Sequence, residues 1–392
     1  MIKITDKHLC CGCSACSQRC PKQCITMQED SEGFLYPVVN QQQCINCGIC
    51  EKVCPVINKT KPLNPRQVIA AQNNHETQRK ESSSGGIFIA IAEKIIEKGG
   101  VVFGCDFDNN WETYHHKAET KEELIPLMRS KYIQSRIGNT FKEAELLLRQ
   151  NRLVLFAGTP CQISGLTKFL HKDYPNLITL DFICHGTPSP KVWRSYLKEN
   201  VLSTLTSHNI TNISYVNFRE KKGYGWKKYG FTIKGKIAGN NDIDIPIISE
   251  IATSNPFMKG FLSNIYLRPS CYQCPAKGGC STSDLTIADY WCVDQILPDY
   301  YDDDIGISSV FINTEKGGKL VAELDIKSMQ ASFTDTIEKN KSYYISVNEP
   351  NRRRVFFKEM NRGKGFNKAL HQYYKKSTLR KLKDIVKRII YK

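Results

Sequence analysis

The sequence predicts an α/β fold (α+β overall), with a small cysteine-rich module ahead of it and a basic helix behind. Three observations lead there. Strands alternate with helices throughout residues 66–331. Two largely apolar runs, Leu153–Phe156 and Leu177–Ile183, are of the kind carried by parallel strands covered on both faces. One cysteine spacing occurs twice between Cys10 and Pro55.

The repeated spacing is Cys10-x2-Cys13-x2-Cys16-x3-Cys20-Pro21 and Cys44-x2-Cys47-x2-Cys50-x3-Cys54-Pro55. Doubled in this way it is the ligand pattern of two 4Fe–4S clusters, with the fourth Cys of each run serving the other cluster. The expected sets are Cys10, Cys13, Cys16 and Cys54, then Cys44, Cys47, Cys50 and Cys20. Zinc sites use two CxxC pairs and four ligands in all, and three cysteines at successive x2 spacing exceed what a tetrahedral ion needs. A disulfide scaffold belongs to a short secreted chain; this one has 392 residues and no apolar signal segment at Met1–Leu9. Cys11 and Cys24 fall outside the spacing and read as small buried thiols.

Length alone suggests two or three domains, and 41% hydrophobic residues suffice for a core. No run of eighteen apolar residues exists to cross a membrane. Seventeen Cys with iron–sulfur chemistry imply a reducing, cytoplasmic setting. The net charge of +16 is concentrated: Arg352–Lys392 holds fifteen Lys/Arg against Glu359 and Asp384, leaving +3 for the other 351 residues. Nucleic-acid binding is not expected, since no reader motif accompanies the charge.

In order, residues 1–58 form the ferredoxin-type domain, with Glu32–Val39 as strand and turn, and 59–66 a polar, Pro-bearing linker. The second domain, 67–345, starts with a strand at Val68–Gln72. Glu81–Gly86 (ESSSGG) then leads into a helix over Ile87–Lys98. Ser and Gly before a helix supply a cap and close backbone approach, and the helix N-terminus attracts anions such as a diphosphate. An ordinary capped helix explains the same residues, because the loop fits neither GxGxxG nor the P-loop. Strands follow at Val101–Phe107 and Glu112–Ala118, a polar turn at Ser130–Ser135 (SKYIQS), and a helix at Phe141–Gln150. The apolar strands end in Ala157–Gln162 and Cys184–Pro188, two cysteine-bearing loops in equivalent positions. Ligands of open α/β sheets bind beyond strand C-termini, so these loops mark a site. Ile213–Arg219, Tyr229–Lys234 and Ile243–Ile248 read as a strand-rich insertion, with Arg219–Trp226 (REKKGYGW) as a solvated turn. Asp284–Asp289 and Gly306–Asn313 are strands and Lys316–Leu324 a helix. Asp284 and Asp289 read as strand-end caps, and His115–His116 draws no role. Residues 346–392 form a basic, partly helical tail, in which Leu379, Leu382, Ile385, Val386, Ile389 and Ile390 make one apolar stripe. That amphipathic pattern suits an anionic membrane surface, an acidic partner protein or packing on the chain's own domain.

Several segments resemble the beta subunit of coenzyme F420 hydrogenases and dehydrogenases, in its bacterial form with an N-terminal ferredoxin: SSSGGIF (82–88), SKYIQS (130–135), GTPCQISGL (158–166), DFICHGTPSP (181–190), YLRPSCYQCPAKG (266–278) and SDLTIADYW (283–291). The resemblance implies that 67–345 is a mixed α/β flavin and iron–sulfur domain of an oxidoreductase. A third 4Fe–4S cluster follows from it, with Cys161, Cys184, Cys271 and Cys274 as ligands and Cys280 in reserve. It also implies FAD, with Ser83, Ser84, Gly85 and Gly86 near the diphosphate, Lys131 and Tyr132 nearby, and Thr159, Pro160 and Gln162 lining the ring. His185 is the candidate proton donor, with a loop-holding hydrogen bond as its equal alternative. The partners implied are an electron-donor or electron-acceptor protein and an unspecified small-molecule substrate. An electron-transfer subunit without a substrate site of its own is the alternative.

Overall fold

The computed structural model describes residues 1–205, 209–300 and 302–375, leaving aside the side chains of 240–242. The architecture is mixed α/β. An eight-stranded sheet runs, edge to edge, through Ile326–Ala331, Gln67–Asn73, Ser308–Ile312, Leu285–Asp289, Leu177–Phe182, Val154–Ala157, Val101–Phe107 and Thr113–Ala118. The four strands from Leu285–Asp289 to Val101–Phe107 are mutually parallel, and antiparallel strands extend both sides. The apolar run Leu153–Phe156 sits in the middle of the parallel block, where Val154, Leu155 and Phe156 are fully buried. Every parallel strand therefore delivers its C-terminal loop to the same edge, and those loops carry Cys161, Cys184 and Trp291.

Two strands escaped the sequence reading. Ile25–Glu29 pairs with Leu35–Val39 as a hairpin in the ferredoxin module. Ile326–Ala331 closes one edge of the main sheet. Both carry mostly exposed polar side chains, so neither shows an apolar run. The insertion forms a separate antiparallel sheet of Ile210–Glu220, Gly230–Ile237 and Asn240–Ile251.

The ferredoxin module is built into the larger domain. Ile2, Cys11, Cys13, Cys16 and Val53 share one apolar core with Phe141, Phe156, Ile163 and Leu166. The contact is close: a Cβ on Gly165, within the Pro160–Leu170 helix, would meet the Cys13 side chain at 2.7 Å. The linker is docked too, with Leu63 N donating to Gly279 O and Arg66 N to Ile312 O.

The sequence assigns 353–374 to the basic tail, but these residues form helices Arg353–Asn361 and Gly365–Tyr374. Their Phe356, Phe357, Met360 and Phe366 enter the core around Trp193 and Tyr196. The amphipathic stripe from Leu379 to Ile390 lies outside the described residues. Among the described residues, no helix is long and apolar enough to cross a membrane.

Candidate functional site

The ferredoxin module arranges its cysteines in two groups. Cys20, Cys44, Cys47 and Cys50 line one cleft, of about 350 Å³ of open space, together with the buried Cys24. These four are one of the sets expected from the spacing. Cys10, Cys16 and Cys54 form the other neighbourhood. Burial, with the charges of Cys10, Cys54 and Cys50, pushes the Cys16 thiol up to about 12. Thiolates gathered in a buried site repel one another, and a cationic iron core removes that repulsion by coordinating them. The donor chemistry fits the clusters. Cys13, the remaining member of this set, shares a hydrogen bond with Cys11.

A third thiol group assembles at the C-terminal edge of the parallel strands. Cys161 opens the helix Pro160–Leu170, Cys184 follows the strand Leu177–Phe182, Cys271 lies in the 3-10 turn Pro269–Gln273, and Cys274 ends it. Burial raises the Cys184 thiol far above its usual range, and Cys271, Cys161 and Cys274 add to it in that order. Burial likewise pushes Cys274 up to about 12, with Cys161 and Cys271 reinforcing it. The surroundings supply donors: Thr187 N reaches Cys271 Sγ at 3.4 Å, and Thr159 Oγ1 lies 3.2 Å from Cys161 Sγ. Four convergent thiols with donors aimed at sulfur fit an iron–sulfur cluster. Cys280 stands apart, with Lys59 as its charged neighbour and none of the other four thiols acting on it.

Cys11 joins the two regions, because its thiol shares hydrogen bonds with both Cys13 and Cys161. The sequence reading of a small buried thiol describes its burial, at 4% exposed, but misses this bridge. Its signal was available only as a cysteine adjoining a ligand, with nothing to indicate the far partner.

The residues expected around a flavin are dispersed in their tasks. Gly85 N donates to Ser308 Oγ at 3.0 Å, Ser84 Oγ donates to Ile307 O at 3.0 Å, and Ser83 Oγ accepts from Ser130 N at 2.8 Å. The Ser–Gly loop is therefore stitched to the sheet edge and to the 130–135 turn. What stays available to an anion is the N-terminal amides of the eleven-residue helix Ile87–Glu97. Lys131 Nζ is held by the carbonyls of Pro126 and Met128, both at 2.8 Å. Tyr132 stacks on Phe261 at 4.6 Å. Thr159 and Gln162 cap the Pro160–Leu170 helix reciprocally, and Pro160 occupies its first turn. The loop and turn adjoin, so a helix-terminus anion site fits, while Lys131 and Gln162 are already engaged within the protein.

His185 Nε2 lies 2.7 Å from Asn264 Oδ1, and its ring meets Phe261 edge-on at 5.2 Å. Burial lowers its pKa. Of the two expectations, the loop-holding hydrogen bond is the one present.

Arg219–Trp226 is not a solvated turn. Arg219 is 5% exposed and pairs with Asp289 at 2.6 Å, its guanidinium lying 4.2 Å over Tyr229. Trp226 is fully buried, donates Nε1–H to Asp289 Oδ1 at 2.9 Å, and stacks on Trp291 at 5.2 Å. Asp289 is thus an ion-pair partner rather than a cap, whereas Asp284 does bind strand and helix ends through Thr179 and Thr314. Lys221 gives all three donors to carbonyls of Arg79, Ser84 and Ile305, and burial brings its pKa down to about 7. A polar heptad with four charged residues and a Tyr resembles a surface turn until its partners, some seventy residues away, are known. His115 was also missed: its ring lies between Ser135 Oγ (2.7 Å) and Ala157 O (3.1 Å), and burial holds it neutral, with a pKa of about 4.

Comparison with known proteins follows the same division. Residues 9–58 match the family described as 4Fe-4S dicluster domain, and residues 151–336 match the C terminus of the coenzyme F420 hydrogenase/dehydrogenase beta subunit. The chain is 25% identical over 236 residues to the coenzyme F420-dependent sulfite reductase of Methanocaldococcus jannaschii, covering 56% of this chain and 36% of that protein. It is 21% identical over 244 residues to a subunit of the F420H2 dehydrogenase of Methanosarcina mazei, covering 59% of this chain and 67% of that protein. Among solved structures, a chain of the F420-reducing NiFe hydrogenase complex from Methanosarcina barkeri matches at 16% identity and a TM-score of 0.44, over 71% of this chain and 91% of that one. The chain spans little more than a third of the sulfite reductase's length.

Proposed function

Because the chain belongs over residues 151–336 to the family of coenzyme F420 hydrogenase/dehydrogenase beta subunits and carries a 4Fe–4S dicluster domain over residues 9–58, we propose that it is an iron–sulfur oxidoreductase with three clusters and one FAD. The clusters would supply one-electron storage when bound, and the flavin the exchange between one- and two-electron chemistry. Cys10, Cys13, Cys16 and Cys54 hold the first cluster, Cys44, Cys47, Cys50 and Cys20 the second, and Cys161, Cys184, Cys271 and Cys274 the third. The helix Ile87–Glu97 offers its N-terminal amides to the flavin diphosphate.

The observation that carries this reading is the abutment of two thiol groups, with Cys11 bonded to Cys13 and Cys161 at once. Such a junction suits electron transfer from the module into the domain. Neutral His115 braces the Ala157 loop as donor or acceptor without adding charge. Trp226 and Trp291 cover the Arg219–Asp289 pair, keeping water from that corner of the strand ends.

Anaerobic purification with iron, sulfide and flavin measured together tests the proposal. About twelve iron atoms and one FAD per chain are expected. Eight iron atoms without flavin would reduce the reading to the dicluster domain. One relative is a component of a dehydrogenase, which supports a second reading: a relay protein docking on a larger enzyme. Turnover of small acceptors by the isolated chain would oppose it, and activity appearing only with a partner would favour it.

A further inference from the structure

Arg268 is a cation enclosed where charge is expensive. It is 1% exposed. Its Nε donates to Cys10 O at 2.7 Å, Nη1 to Gln134 Oε1 at 2.9 Å, and Nη2 to Leu35 O at 2.9 Å and to Cys10 Sγ at 3.6 Å. These acceptors are carbonyl oxygens and one sulfur, with no carboxylate among them. The guanidinium lies over Tyr36 at 4.3 Å and Phe34 at 5.5 Å. Its charge acts on Cys10, Cys11 and Cys271, and it lowers Cys161. The backbone makes way for it: Gly12 has φ +70°, and a Cβ there would stand 2.7 Å from Nη1. A buried cation without an anionic partner is costly, so its place beside a cluster ligand calls for a negative charge that arrives later.

We propose that Arg268 sets the redox balance of the cluster held by Cys10, Cys13, Cys16 and Cys54, favouring its reduced form. The inference rests on the dicluster reading above. Each one-electron reduction leaves the iron–sulfur core one unit more negative, and Arg268 holds a fixed positive charge against one of its ligands. Net charge, hydrogen bonds to sulfur and solvent exposure are the levers on such potentials. Arg268 supplies the first two, and its burial removes the water and salt that would screen it. Lys22 offers the contrast, an exposed cation at the rim of the Cys20–Cys50 cleft, where solvent screens it. Because Arg268 also acts on Cys161 and Cys271, it makes the junction a favourable place for an electron arriving from either side.

The test is a potentiometric titration followed by electron paramagnetic resonance, with iron counted in every sample. Arg268→Met should lower the one-electron reduction equilibrium of one cluster at least tenfold, which is about 59 mV. Arg268→Lys should keep most of the wild-type value, and Lys22→Met should leave all clusters unchanged. If the methionine variant loses iron, Arg268→Gln carries the same expectation, since it keeps an amide donor for the Cys10 carbonyl. An unchanged potential in a neutral variant with full iron overturns the inference alone. So does an equal fall in the lysine variant, which would make geometry rather than charge the cause. Wild-type protein without reducible iron overturns the inference and the dicluster reading together.

Discussion

At the scale of single residues, Cys280 and Cys271 make a clean comparison, both being cysteines of one short segment. Cys271 receives the Thr187 amide and sits among three other thiols, while Cys280 faces Lys59. Cys271→Ser should therefore lower iron from about twelve to about eight atoms per chain, and Cys280→Ser should leave it unchanged. Equal loss in both variants would defeat the assignment. Lys221 makes a pH-dependent prediction. Its folded pKa, about 7, lies below the ordinary lysine value of 10.5. Between those values the unfolded chain binds more protons than the folded one, so stability gains from this residue as pH rises from 7 towards 10. Thiols and phenols titrate in the same window, and the difference between wild type and Lys221→Met cancels them. That difference should grow in favour of the wild type with pH, measured by denaturant titration at pH 7 and 9.5. A flat difference would mean that Lys221 is already neutral or well solvated. What the residues disclosed by sequence depended on locality. Ligand spacing is a local code, so both dicluster sets could be read directly. Arg268, Lys221 and Arg219 act on partners scattered through the chain, and no local pattern marks them.

At the scale of elements, the Ser–Gly loop shows how one pattern serves two purposes. The sequence reading expects close backbone approach at Gly85 and Gly86, and attributes it to a diphosphate. The approach is present, but at Gly85 it is to protein: a Cβ would stand 2.6 Å from Ala71 O and 2.7 Å from Ser308 N. Gly85→Ala should thus prise the loop from the Gln67–Asn73 and Ser308–Ile312 strands and cost about 1–3 kcal/mol, the usual range for overpacking. Equilibrium unfolding of the cofactor-loaded protein measures it, and a neutral result would show that the strand ends yield freely. The apolar strands at 153–156 and 177–183 were legible because burial on both faces demands continuous hydrophobic residues. Ile25–Glu29 and Ile326–Ala331 were not, since edge and hairpin strands hold their place through backbone pairing that leaves little trace in side-chain pattern. The insertion was readable as strands, but its turn was misjudged because Trp226 is buried by Asp289 and Trp291, residues of another sheet.

At the scale of the whole molecule, the ferredoxin module is held from both ends of the chain. Its hairpin turn contains Glu32, which takes both Nη1 (2.8 Å) and Nη2 of Arg353. Arg353 is 4% exposed and also donates to Leu267 O at 3.0 Å and Tyr272 Oη at 3.2 Å. Leu267 and Tyr272 flank Arg268 and Cys271, so the first C-terminal helix ties the module to the segment carrying the third thiol group. The basic charge that sequence alone assigns to a free tail is, at Arg353, internal to this clamp. Breaking one side of a buried ion pair strands the other charge and costs about 3–5 kcal/mol, whereas removing both partners leaves no stranded charge. Glu32→Gln should accordingly destabilise the protein by that order, and the double variant Glu32→Gln with Arg353→Met should recover a substantial part of the loss. Hydrogen exchange adds the location: the single variant should open Ile25–Val39 before the main sheet, because the hairpin loses its anchor while the parallel strands keep theirs. Strictly additive losses in the double variant, or exchange rising equally across both domains, would show that Arg353 stabilises its own helix and not the junction.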